Sequence, residues 1–484
     1  MTRILLIVHT NTYFAGLAEI GKLLKRHGKY EPLFLFPLKY PTLQRDIDIC
    51  LKENLPYILE PGIVISNGTR SSVNRTNIES GSPQKPLIGK LLSMMIAGIR
   101  ISTRFFLNTI PINVLHQLYL LKRKMTFIRH LIRTEHISLM ILPADNRYDQ
   151  AAYIKAGHIE HIPSVVIPQF MAGSLEWAEF VWDRPDYNAQ KITNRLVGAL
   201  YSHWIYEHKG RKLVAKPVDQ ALAYEWLGIA PPLPWILHSG FADALALESA
   251  AIRDYCISEG LPKERLVVTG SCTHDIITDI FVNSTKKKIE LCSAMDLSPD
   301  IPIILSALPS NDMAMGRSEC EFQNYIDLLE FWCKSLAAIK GYNIIICVHP
   351  SVRADDLLFI EKWGVKIAKE PTYKLIPLCD IFVAAVSATI QWAIACGKPV
   401  LNYDVYQYHY TDYNNIWGVI KVNARLDFIN TLHLLTTEPE FFAEISARQL
   451  TNAEKWGQLD GKSGERLIQL FDRIIDKYSG EKVK

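Results

Sequence analysis

The stretch Pro377–Asp404, PLCDIFVAAVSATIQWAIACGKPVLNYD, constrains the fold of this chain more than any other. Ile381–Ala385 is a continuous apolar run too short for a helix, and Val400–Asn402 reads as a second buried strand. Between them lie a tight turn at Val386–Thr389, a helical segment Ile390–Cys396 and the break Gly397-Lys398-Pro399. Two buried strands flanking a helix predict a right-handed βαβ unit in a parallel sheet covered on both faces. In such sheets ligands sit beyond the carboxyl ends of the strands. The turn carrying Ser387, Ala388 and Thr389 falls there, with hydroxyls and backbone N–H groups at a helix N-terminus, an arrangement that receives a phosphate. The same serine would equally serve as a plain helix cap.

At 484 residues the chain is too long for one core, so two large domains are expected. A content of 49% hydrophobic and 21% charged residues is that of a globular protein and excludes general disorder. The net charge of +3 is too small to argue for a nucleic-acid partner. Nine cysteines without a CxxC pair point to reduced thiols in a cytoplasmic compartment, with Cys347, Cys379 and Cys396 packed inside apolar runs. The N-terminus MTRILLIVHT leads straight into a strand, so no signal peptide is expected and the sequons at Asn67, Asn74 and Asn283 carry little weight.

Along the chain, Arg3–Val8 reads as a first buried strand, followed by a loop with His9 and Asn11 and a helix to about Arg26. Leu33–Pro37 is a second strand and Gly62–Ser66 a candidate third, the opening of a Rossmann-like domain. No G-x-G-x-x-G follows the first strand, so a dinucleotide cofactor is not expected. Residues 81–134 contain no Asp or Glu but many Lys and Arg. Within them Leu118, Leu121, Met125, Ile128 and Ile132 recur at helical spacing, bordered by Lys122, Arg129 and Arg133 on one side and Lys124 on the other. An apolar stripe with basic borders predicts a helix docked on an anionic membrane surface; core helices with solvated basic edges carry the same pattern. No stretch there is apolar enough for a span.

Ser138–Leu142 and Ser164–Ile167 read as strands whose loops open on one sheet edge, making Asp145 and Glu176 candidate general bases, although carboxylates there also act as caps. A strand near Trp235–Leu237, a helix from about Ser249 and a strand Arg265–Thr269 close the first domain, and the lysine-rich run Asn283–Lys288 starts the connection to the second. That domain continues with strands Ile301–Ser306, Asn343–Val348 and Val365–Ala368 and a helix over about Ser318–Ile339. An amphipathic helical tail covers about Phe441–Lys477.

His349 stands where an apolar strand ends, on the same expected rim as Ser387 and Thr389 but in a separate βα unit. An imidazolium beside a helix N-terminus would stabilise negative charge developing on a leaving nucleotide phosphate. No HExxH or His/Cys cluster suggests a metal. The lone DxD, Asp46-Ile47-Asp48, reads as a solvated helix face.

Taken together, EGLPKERLVVTGSCTHD (Glu259–Asp275), IIICVHPS (Ile344–Ser351) and LCDIFVAAVSATIQWAIACGKPV (Leu378–Val400) resemble the GT-B superfamily in order and spacing. The likeness is to the UDP-N-acetylglucosamine 2-epimerase branch and to bacterial nucleotide-sugar transferases carrying an HP motif, and it covers about 235–425. PADNRYD (Pro143–Asp149) loosely resembles the acidic loop of that superfamily's first domain. It implies an α/β GT-B fold, two Rossmann-like domains with parallel sheets facing a cleft. The expected boundaries are an acceptor-side domain at 1–275, a donor domain at 276–440 and a C-terminal helix packing across both at 441–484. The chain departs from the epimerase pattern at Ser306–Asp312, which lacks its His and Arg, and at Trp392 and Ala393, which replace its paired glutamates. The resemblance therefore implies a metal-independent glycosyltransferase using a CMP-, CDP- or UDP-type donor as substrate, without a separate cofactor. Donor phosphate is expected at His349, Ser387 and Thr389, and the base near Thr372 and Tyr373. His9 and Asn11 would line the side facing a glycan or lipid-linked acceptor, in a cytoplasmic enzyme peripheral to the inner face of the plasma membrane. The alternatives are an epimerase-like sugar-nucleotide enzyme, a polyol-phosphate transferase and a catalytically silent scaffold.

Overall fold

The computed structural model describes residues 2–9, 11–38, 40, 42–61, 110–147, 149–170, 173–313, 319–349, 352 and 354–481. Its strands, in chain order, are β1 (Thr2–Ile7), β2 (Tyr30–Phe36), β3 (Tyr57–Leu59), β4 (Ile137–Leu142), β5 (Ser164–Val166), β6 (Ile205–His208), β7 (Arg211–Val214), β8 (Ala244–Leu247) and β9 (Leu266–Val268), then β10 (Ile303–Ala307), β11 (Asn343–Cys347), β12 (Lys366–Ile367), β13 (Ile381–Ala384), β14 (Val400–Tyr403) and β15 (Val419–Val422). They build a seven-stranded sheet, β3-β2-β1-β4-β5-β8-β9, a six-stranded sheet, β12-β11-β10-β13-β14-β15, and the hairpin β6-β7. Every pairing within the two large sheets is parallel.

Alternation along each strand divides its side chains between two cores. In β1, Ile4 and Leu6 join one apolar cluster while Leu5 and Ile7 join the cluster on the opposite face. In β13, Ile381 and Val383 face one core and Phe382 and Ala384 the other. Successive strand residues point to opposite faces, so only uninterrupted apolar runs can fill a sheet covered by helices on both sides.

The tail connects the two bodies. The helix Pro439–Trp456 packs on the second domain, where Gln449 Nε2 donates to Lys398 O at 2.9 Å. The helix Ser463–Glu481 returns to the first sheet and buries Leu467, Leu470, Phe471 and Ile474 in its core. Its first N–H groups, Ser463 N and Gly464 N, donate to the Asp275 carboxylate at 2.8 and 2.7 Å, an anion placed at the positive end of the helix. Only glycine suits position 270: its φ is +73° and a Cβ there would lie 2.3 Å from Ser463 Oγ.

Several expectations change. The strand expected at Trp235–Leu237 is a turn segment, and the strand of that unit is β8, a few residues on. Pro234 removes a ladder donor, and Trp235 and Ile236 are buried as loop anchors instead. Gly62–Ser66 lies outside the described residues; β3 pairs with β2 on the side away from β1. The long helix of the second domain starts at Tyr325, capped by Asn324, whose side chain accepts from Asp327 N. Asp46 of the DxD triplet is fully buried, bonded by Thr42 Oγ1 and Arg45, so only Asp48 faces solvent.

The basic helix shows the largest difference. It spans Ile110–Thr134, and its predicted membrane stripe faces inward: Leu121, Ile128 and Ile132 are buried, with Leu118 and Met125 packed against the same cores. Burying each large aliphatic side chain contributes about 1.5–3 kcal/mol, which fixes the rotation of this helix. Three of its four border cations are paired within the chain, Arg129 and Arg133 with Glu160 and Lys124 with Glu60 and Asp149, while Lys122 is exposed. Among the described residues no helix is long and apolar enough to cross a membrane.

Candidate active site

Each large sheet has one point where its strand order reverses. In the first sheet this lies between β1 and β4, in the second between β10 and β13. Loops leaving the carboxyl ends of such strands diverge to opposite faces and leave a crevice, the place where open α/β sheets bind ligands.

At the second-domain crevice, β13 runs out into Val386, a β-branched residue held at φ 45°. Left-handed backbone at such a residue costs on the order of 1–3 kcal/mol and persists only where surroundings enforce it. Here Val386 N donates to Asn402 Oδ1 of β14 at 2.8 Å. The twist presents Ser387, Ala388 and Thr389 at the rim, with the two hydroxyls 2.9 Å apart and Thr389 N donating to Ser387 Oγ at 3.3 Å. Ser387 thus caps its own turn while remaining half-buried at the edge.

His349 lies two residues beyond β11, half-buried, its pKa lowered from the ordinary value by burial and partly restored by Asp312. Strand β10 separates β11 from β13, so His349 and Ser387 leave the same sheet edge from strands two spacings, roughly 10 Å, apart. Asp312 is held by Ser310 Oγ at 2.7 Å and Tyr408 Oη at 2.8 Å. Thr372 bonds to the Cys347 thiol, and the Tyr373 ring meets Trp392 edge-on at 5.9 Å. Burial, with Glu19 and Glu370 nearby, pushes the Tyr373 phenol up to about 12.

The first-domain crevice is lined by charge. His9 follows β1, with Nε2 3.6 Å from Asp149 Oδ1. Burial lowers its pKa, Asp149 works in the opposite direction, and Lys124 and Arg147 add to the lowering. Lys124 bonds Asp149 and Glu60, and Tyr153 Oη donates to Glu60 at 2.8 Å. Asn11 opens the helix after β1, and its side chain lies outside the described residues.

The two carboxylates expected as bases are engaged elsewhere. Asp145 is 0% exposed; Arg265 donates to its Oδ2 at 2.8 Å and Gly240 N to its Oδ1 at 2.9 Å. Glu176 is buried and holds its helix start through Gly173 N, with Tyr255 Oη on the same oxygen and Thr411 Oγ1 on the other at 3.1 Å. A proton acceptor must reach its donor within hydrogen-bond distance, and both carboxylates already accept from protein donors. Thr411 belongs to the second domain, so Glu176 joins the two bodies, as does Trp392, whose Nε1 donates to Glu248 at 3.3 Å. The sequence gives no signal for these partners, which lie far from each other along the chain.

No protein-family model matches the sequence, and no curated protein does. Solved structures match over nearly the whole chain. The S. aureus MnaA–UDP complex aligns with a TM-score of 0.51 at 11% identity over 98% of this chain and 97% of that one. The kitacinnamycin glycotransferase gives 0.52 at 10% identity over 97% and 98%. LpCGTa in complex with UDP gives 0.50 at 11% identity over 99% of each. At these identities the likeness establishes the architecture: two Rossmann-like domains in the GT-B arrangement.

Proposed function

From that GT-B architecture we propose a glycosyltransferase that moves a sugar from a nucleotide-activated donor to a glycan or lipid-linked acceptor of a surface polysaccharide or glycolipid. The observation that carries the reading is the strained turn at Val386–Thr389 on the switch point of the second sheet. Such strain collects where a backbone must present itself to a ligand, and the rim groups here are hydroxyls and amides suited to phosphate. His349 would flank the leaving diphosphate or monophosphate from across β10, and Thr372 and Tyr373 would lie toward the base. The UDP held by neighbours of the same fold supports a uridine donor.

For the acceptor proton, His9 takes the place expected of Asp145 or Glu176. Burial keeps its imidazole neutral at pH 7, and the Asp149 carboxylate beside it would orient the ring and stabilise the imidazolium once formed. The epimerase alternative lacks support in the stretch Ser306–Asp312 at the end of β10, which carries no His or Arg.

Docking at an anionic bilayer is supported by a different face of the basic helix from the one expected. Ile112, Leu115 and Tyr119 are exposed, Leu115 by 62%, with the exposed Lys122 beyond them. The helix Ile192–Leu200 adds Ile192, exposed by 83%, with Leu196 and Leu200. Both helices pack on Val218–Trp226, and aliphatic side chains bordered by cations suit a headgroup boundary.

The test is a thermal-shift panel of UDP, CMP, CDP and GDP on wild type and on a Ser387→Ala, His349→Ala variant. A nucleotide-specific rise in wild type that is lost in the variant is expected; no response to any nucleotide would overturn the reading.

A further inference from the structure

Beside His9, the loop after β4 opens into a shallow recess lined by Asn146, Arg147, Trp177, Lys216, Trp235 and Leu237, among others. Its chemistry differs from the rest of the rim. Lys216 donates to Asn146 O at 3.1 Å and lies 5.0 Å from the centre of the Tyr224 ring. Among the described residues Lys216 has no carboxylate partner, because Asp149, the acid acting on it, is already bonded by Lys124. Burial, with repulsion from the nearby Arg147 added, brings the ammonium down to about 8. Two like charges held together in a partly dry recess are a standing electrostatic cost that a bound anion removes.

Asn146 supplies an independent observation. It is 5% exposed, and its Nδ2 donates to Pro234 O at 3.2 Å and Ile236 O at 3.0 Å, which fixes the amide orientation. Its Oδ1 is buried without a hydrogen-bond partner. Leaving such an acceptor unpaired is unfavourable, and a hydroxyl donor from a ligand would satisfy it. Trp177 and Trp235 in the wall add flat apolar surface. Paired cations, one waiting acceptor and an aromatic wall match a sugar carrying a compact negative group.

We propose that this recess is a subsite for an acidic sugar of the acceptor, with Arg147 and Lys216 on its carboxylate or phosphate and Asn146 Oδ1 on a hydroxyl. The proposal rests on the transferase reading and names its acceptor class.

Binding of glucuronic acid, glucose 6-phosphate and neutral glucose is measured by calorimetry on the full chain, alongside UDP. Wild type is expected to bind one or both anionic sugars at least about tenfold more tightly than glucose, the scale of one charge-assisted hydrogen bond. The uronate and phosphate arms identify the anionic group. Lys216→Met should abolish the preference while UDP affinity stays unchanged; if that variant does not fold, Arg147→Met takes its place. Equal affinity for all three sugars, or a preference that survives in the folded variant, overturns the subsite even if UDP binds. Loss of UDP binding in wild type instead removes the transferase reading, and the sugar preference is then judged on its own.

Discussion

The two crevices face the same gap with opposite chemistry. The rim of the first sheet is crowded with ionisable groups: Asp149 is engaged by His9 and Lys124, and Arg147 donates to Tyr13 Oη. The rim of the second has a neutral turn, hydroxyls and amides positioned by a strained backbone and by Asn402. An anionic donor is best received by fixed dipoles that require no counter-charge to move, whereas an acceptor must lose a proton, which needs titratable groups. The proposed division of labour, donor on the second sheet and acceptor on the first, rests on which groups each sheet edge presents.

The comparison breaks most visibly at Asp145, on the charged side. Arg265→Met leaves a buried carboxylate without its cation, and a loss of about 3–5 kcal/mol in urea unfolding is expected. A smaller loss would mean that this ion pair does not fix the loop. Next, His9→Ala should lower transfer about a hundredfold with nucleotide binding intact, measured once a donor is identified. Activity near that of wild type would return the proton to another group.

A third measurement sharpens the contrast through pH. His9, His238, His274 and His349 all have pKa values lowered by burial from the ordinary 6.5. The folded chain therefore binds fewer protons than the unfolded one, so stability is present above 6.5 and is lost as pH falls through the lower folded values. Asp412 acts with the opposite sign. Burial and Glu176 raise it from 3.8 to about 7, so its contribution is lost as pH rises between those two values. The thermal midpoint should fall below about pH 6, and His274→Gln should flatten that fall; a midpoint indifferent to pH there would contradict the burial of these rings. The smallest effect is expected at the join between the domains. Thr411→Val removes the hydrogen bond to Glu176 and should cost about 1 kcal/mol. A null result would mean that Trp392 and the tail helices hold the domains without it.

Much of the architecture was legible because apolar runs such as Ile381–Ala384 and Leu139–Leu142 satisfy only one environment, a strand covered on both faces. The turn after β13 was legible for the same reason, since a strand end in a parallel sheet lies on the binding edge. The basic helix was legible as a helix, but not the direction of its stripe. The same periodicity fits a lipid surface and a protein core, and only the neighbours Glu160, Glu60 and Asp149 decide between them.

The sequence by itself determined the two parallel sheets, the order of their units and the placing of Ser387, Thr389 and His349 at strand ends. These follow from local periodicity, which short-range sterics and burial enforce. Tertiary structure alone decided which carboxylates are available. Asp145 meets Arg265 from 120 positions away and Glu176 meets Thr411 from 235 away. An ionised side chain takes whichever partner the packed chain brings within about 3 Å, and no local pattern encodes that meeting.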